Sequence, residues 1–74
     1  MNDFKWEELL FGTLNVLYLD EKIVGTVSLV THIPIRWSAN YTQDTDSIRV
    51  PDTENFEQLN DAKQALENWI INNK

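Results

Sequence analysis

Residues 35–42, IRWSANYT, alternate without a fault: Ile35, Trp37, Ala39 and Tyr41 point one way, Arg36, Ser38, Asn40 and Thr42 the other. A period of two is a strand with one buried face and one wet face. From Phe56 the period changes. Phe56, Leu59, Ala62, Leu66, Trp69 and Ile70 recur at spacings of three and four, which predicts an amphipathic helix over about 58–72. A chain holding both patterns must lay a helix stripe on a sheet face, because neither can bury itself alone.

The remaining segments are placed around that pair. TLNVLYLDEKIVGTVSLVT reads as two strands joined at Asp20-Glu21-Lys22. Without Asn-Gly or Asp-Gly, a short loop built on a type I turn is expected there rather than a type I′ turn. Leu14, Val16 and Tyr18 share one face of the first strand, and Leu17 and Leu19 lie on the other. In the second strand Ile23, Val27 and Leu29 oppose Val24 and Val30, so a second, partly apolar face needs covering. Gly25 marks a bulge or a close crossing by a bulky neighbour. Pro34 ends the second strand, since it cannot donate to a ladder. Ser47–Val50 can add a short fourth strand before Pro51. DFKWEELLF admits two readings, a short helix capped at Asp3 or an extended segment, and the extended one is favoured because an isolated nine-residue helix is marginal.

The expected fold is α+β: one β-β-β-(β)-α domain spanning 1–74, a three- or four-stranded antiparallel meander packed against one C-terminal helix. Leu14, Val16, Ile23, Val27, Leu29, Trp37, Tyr41, Leu59, Leu66 and Trp69 are the expected core. Trp6 is left between core and interface anchor. At 74 residues the chain has little interior to spare for an enclosed active site. It has no cysteine, so disulfides and thiolate metal sites are excluded.

Catalytic chemistry finds little to use. The lone His32 sits beside the strand-ending Pro34 with no local nucleophile motif. Asp44-x-Asp46 has the spacing of a cation-binding loop but lacks the glycine and distal glutamate that would complete one, so a solvated turn is favoured. Gly12 and Gly25 are too isolated for a phosphate loop. Asn40-Tyr41-Thr42 matches a glycosylation sequon by spacing alone. Neither an enzyme nor a cofactor is expected.

Charge carries more information. Twelve acids against six bases give a net charge of −6. Residues 44–61, DTDSIRVPDTENFEQLND, hold six carboxylates (Asp44, Asp46, Asp52, Glu54, Glu57, Asp61) and one base, Arg49. Such a chain repels nucleic acid and anionic membrane at long range, so direct binding to either is not expected. The acidic run has two readings. One is a solvated approach to a helix N-terminus, compatible with the helix dipole. The other is a docking surface whose spaced carboxylates imitate a phosphate row for a Lys/Arg-lined partner. With no basic n-region and no apolar run of membrane-spanning length, a cytoplasmic protein is expected.

The hairpin pattern Y-x-D-x-K-x-V-G-x-V (Tyr18, Asp20, Lys22, Val24, Gly25, Val27), then Trp37, then F-x-x-L-x-x-A-K-x-A-L-E-x-W (Phe56, Leu59, Ala62, Lys63, Ala65, Leu66, Glu67, Trp69) resembles small phage and prophage proteins. The resemblance implies a sheet packed on a helix and a phage origin, hence the host cytoplasm; it assigns no activity. In kind, though not by any motif, the chain is similar to anti-defence inhibitors such as anti-CRISPR proteins. The resulting expectation is a non-enzymatic inhibitor that binds a basic, nucleic-acid-handling partner, as a DNA mimic, through the six carboxylates. The alternative is a small accessory protein acting as a homodimer through its sheet.

Overall fold

A computed structural model describes residues 4–43, 46–50 and 55–73. Five strands, β1 (Phe4–Leu9), β2 (Leu14–Leu19), β3 (Lys22–His32), β4 (Ile35–Gln43) and β5 (Asp46–Arg49), precede one helix, α1 (Leu59–Asn72). The strands follow one another in space in chain order, each antiparallel to the next. The α+β meander with its C-terminal helix is therefore present, with five strands instead of three or four. The extra strand is β1, the segment that local pattern left open between helix and strand. Its extended form is stabilised by pairing with β2 from Phe4↔Leu19 to Leu9↔Leu14, a contribution no local propensity records.

The helix packs on one face of this sheet. Directly opposed residues of antiparallel strands share a face, and Leu17, Gly25, Tyr41 and Ile48 form one such row. A side chain at Gly25 would strike Leu66 of α1, so this row lies under the helix. Leu17, Val27, Ala39, Val50, Ala62 and Leu66 are the buried centre, with Phe4, Trp6, Val24, Trp37, Tyr41, Phe56, Leu59, Trp69 and Ile70 packed around it. Every apolar residue of the helical stripe thus reaches the core.

The expected face of β2 was the wrong one. Leu17 lies under the helix, whereas Leu14 and Tyr18 lie on the open face, as does Val16, which is still buried between its register neighbours Glu7 and Thr26. The reason is a bulge. Leu17 pairs with Gly25 and Tyr18 with Ile23, so Val24 is an extra residue in β3. An extra residue reverses the alternation beyond it. Ile23 therefore leaves the core side and is half exposed, while Val24 and Val27 both reach the helix side.

The β2–β3 turn also departs from expectation. Leu19 pairs with Lys22, so the loop has two residues, and Asp20 and Glu21 have φ of 52° and 69°. Positive φ at both positions is the type I′ geometry that matches strand twist, here built without glycine. Asp tolerates this region, whereas glutamate gains nothing to offset the Cβ strain. Glu21→Gly is expected to stabilise the fold by about 0.5–1 kcal/mol, the relieved strain exceeding glycine's extra unfolded-state entropy. A urea melt showing no rise in midpoint would contradict this.

Candidate functional site

The acidic segment forms the sheet's second edge. β5 pairs with the end of β4 from Asn40↔Arg49 to Gln43↔Asp46. Upstream, Val50 N–H donates to the Ala39 carbonyl (3.1 Å), and Phe56 and Trp37 exchange two backbone hydrogen bonds of 2.7 and 2.8 Å. Residues at both ends of the acidic run are in this way pinned along the outside of β4. Two steps beyond Phe56 the chain turns into α1. Gln58 occupies the N-cap in extended conformation without a side-chain cap bond.

Of the six candidate carboxylates, Asp46, Glu57 and Asp61 lie among the described residues; Asp44, Asp52 and Glu54 lie outside them. All three described side chains are exposed. Glu57 Oε1 meets Arg36 Nη2 at 3.6 Å with its own side chain 77% exposed, a contact of small energetic weight. Asp61 occupies the first turn of α1, where the helix dipole favours an acid.

Glu57 and Asp61 are brought to one end of the sheet, Asp46 to the other. Asp46 faces Gln43 at one end of β4 and Glu57 pairs with Arg36 at the other. Seven strand residues separate those levels, about 23 Å at 3.3 Å per residue. The arrangement is a row along an edge, not a compact cluster.

The other sequence candidates are placed as follows. His32 is exposed at the end of β3, opposite Ile35. It lines neither of two open cavities, one of about 360 Å³ walled by Lys5, Glu7, Tyr18 and Glu21, the other of about 340 Å³ between the end of α1 and the sheet, walled in part by Val24, Tyr41, Trp69 and Ile70. Among the described residues no group of three His, Asp or Glu side chains is gathered as a metal site. Trp6 is tied to the helix, its Nε1 donating to Glu67 Oε2 (2.7 Å) and its ring 5.0 Å from Lys63 Nζ. Its indole serves to pin β1 to α1. Trp37 and Trp69 are half-buried against the core, and Trp69 lies 5.5 Å from the Tyr41 ring. Among the described residues no helix is long and apolar enough to cross a membrane.

Set against protein-family models, curated proteins and solved structures, the chain matches none. Functional argument therefore rests on the molecule's own surfaces.

What sequence reasoning missed is the opposite kind of surface. Leu10, Phe11 and Ile33 project into solvent at one end of the sheet, with Phe11 fully exposed. LLFG and HIPI carry no periodic signal, only an excess of apolar residues at positions where turns are ordinarily polar.

Proposed function

We propose that this chain is a non-enzymatic binding module that docks its acidic edge on a basic, nucleic-acid-handling protein. This is the mode of action expected of a phage-encoded inhibitor of the anti-CRISPR or broader anti-defence type. The observation that carries the reading is the placement of the acidic run. Its described carboxylates are exposed, and it flanks β4 from one end to the other. A single DNA strand carries a phosphate about every 3.4 Å of axis, so the roughly 23 Å between the levels of Asp46 and Glu57 spans about seven phosphates. Asp46 and Glu57, both exposed, mark the two ends of that reach for a basic groove. With a net charge of −6, long-range steering favours the encounter.

The test uses a purified lysine-rich nucleic-acid-binding protein loaded with fluorescein-labelled duplex DNA. The chain is expected to displace the DNA, and its apparent affinity to fall at least about tenfold between about 50 and about 300 mM salt, as exposed charges are screened. The charge-reversed D46K/E57K/D61K variant is expected to lose at least about tenfold at low salt. Displacement that ignores salt, or that survives the reversal, would overturn the electrostatic mechanism.

A further inference from the structure

The end of the sheet away from the β2–β3 turn is tipped by apolar side chains, with the exposed Glu8 and the Arg36–Glu57 pair at its border. The β1–β2 connection, Leu10–Gly12, is a tight left-handed turn in which Leu10, Phe11 and Gly12 all have positive φ, closed by Thr13 N–H donating to the Leu10 carbonyl (3.1 Å), and its two large side chains are exposed. Beside it, the β3–β4 hairpin continues past the Leu14↔Ser28 pair for four more residues of β3, about 13 Å, to the Ile33–Pro34 turn. The two tips are joined at their bases, where Leu29 N–H donates to the Thr13 carbonyl (2.8 Å). Within the second tip the Thr31 hydroxyl donates to the Pro34 carbonyl, and within the first the buried Asn15 donates from Nδ2 to the Gly12 carbonyl (3.2 Å). Both turns are thus closed on themselves by polar groups while their apolar side chains face outward.

Leu9, Leu10, Phe11, Val30, Ile33 and Ile35 are the exposed large apolar residues of this end, alongside exposed Thr31, His32 and Pro34; Phe11 is fully exposed, Ile33 95% and Leu10 68%. Together they amount to about four fully exposed large side chains, on the order of 800 Å² at roughly 200 Å² each. A monomer's largest apolar patch is about 300–600 Å², whereas one side of a standard protein interface is about 800 Å².

We propose that this end is a self-association surface, on which two copies of the chain pack their Leu10–Phe11 and Ile33–Pro34–Ile35 tips together about a twofold axis. Area alone calls for a protein-sized occupant, and charge selects a second copy. Residues 9–19 and 23–35 contain no Asp, Glu, Lys or Arg. The nearest cation beyond them, Arg36, already faces Glu57. A surface without carboxylates offers nothing to the basic partner that the acidic edge attracts. It also lacks the basic rim and interfacial anchors that would hold it on a membrane, and the chain's net charge opposes anionic lipid. Its own copy is the complement it fits: homodimer interfaces are the more apolar class, and a twofold contact needs only one self-complementary patch. Asp46, opposite Gln43 at the far end of β4, stays outside the contact.

Sedimentation equilibrium of the intact chain between about 1 and about 200 µM is expected to show a monomer–dimer equilibrium with a dissociation constant in the tens of micromolar, the weak end for an interface of this size. Phe11→Ser and Ile33→Ser, each alone, are expected to weaken it at least about tenfold, since each removes a central apolar anchor. Both residues are exposed, so an unchanged circular dichroism spectrum and melt are expected alongside. Ile71→Ser, an exposed isoleucine on the last turn of α1, is expected to leave association as it was. Raising salt to about 0.5 M is expected to leave the dimer as tight or tighter, the opposite sign to acidic docking, so the two readings can fail separately. A wild-type monomer at about 200 µM, or a dimer indifferent to both tip substitutions, would overturn the proposal. So would a monomer that co-sediments with phosphatidylcholine vesicles through Phe11.

Discussion

Gly25→Ala is expected to remove about half of the stability of this domain. A Cβ built on Gly25 falls 2.7 Å from the Asn40 carbonyl oxygen, 2.7 Å from Leu66 Cδ2 and 2.9 Å from Leu66 Cδ1. Real Cβ atoms do not approach so closely, and here neither neighbour yields cheaply. The Asn40 carbonyl is backbone of β4, opposed in register to Thr26 and Arg49. The Leu66 methyls end a flexible side chain, yet that side chain is fully buried in a close-packed core. Overpacking of this kind costs about 1–3 kcal/mol, and more where backbone must shift. A domain of this size has about 4–11 kcal/mol in all, at roughly 0.05–0.15 kcal/mol per residue. Urea denaturation of wild type, Gly25→Ala, Leu66→Ala and the double variant separates the two contacts. If Leu66 carries half of the clash, the double variant will be more stable than additivity predicts by about 1 kcal/mol or more. An unchanged midpoint in Gly25→Ala would mean that α1 does not cross the sheet at this point.

That glycine also shows how much of the fold is legible along the chain. Its isolation inside a β-branched run signals a bulge or a close crossing, and both occur, the bulge at Val24 and the crossing by Leu66. Strand β4 and helix α1 are equally plain, since each has a long, regular period and a single apolar face. Segments whose conformation is decided by remote partners are not plain. β1 is extended because β2 lies beside it and because Trp6 reaches Glu67, sixty-one residues away. The Asp20-Glu21 turn adopts a primed geometry because the twist of two long strands outweighs the preference of its residues. The candidate site divides in the same manner. Its charge could be counted in the sequence, but Asp46 and Glu57, eleven residues apart, are set at opposite ends of β4 by strand pairing, which a count cannot reveal. The apolar tips were hidden for a different reason. Exposure depends on how far the β3–β4 hairpin outruns its neighbour, and that follows from register.

Leu17→Ala is expected to cost about 3 kcal/mol, within the range of about 2–5 kcal/mol for a buried leucine, while Leu14→Ala, on the same strand, is expected to cost less than about 1 kcal/mol. The contrast is sharp because the two residues differ little in local sequence. Both sit in an uncharged run, and an odd separation of three places them on opposite faces. Leu17 is fully buried beneath the helix and belongs to the same cluster as Leu66 and Val27, so truncation leaves a cavity that the packed sheet and helix cannot close. Leu14 is only half-buried on the open face, paired with Leu9 on one side and Ser28 on the other, where water fills the space that a shorter side chain vacates. The pair therefore reads the register of β2 directly. A slip of one residue against β3 would exchange the faces and reverse the order of the two losses. Equal losses would require a second layer covering the open face, and at concentrations where the tips hold two copies together the comparison should be repeated with Ile33→Ser in the background, so that association is not mistaken for burial.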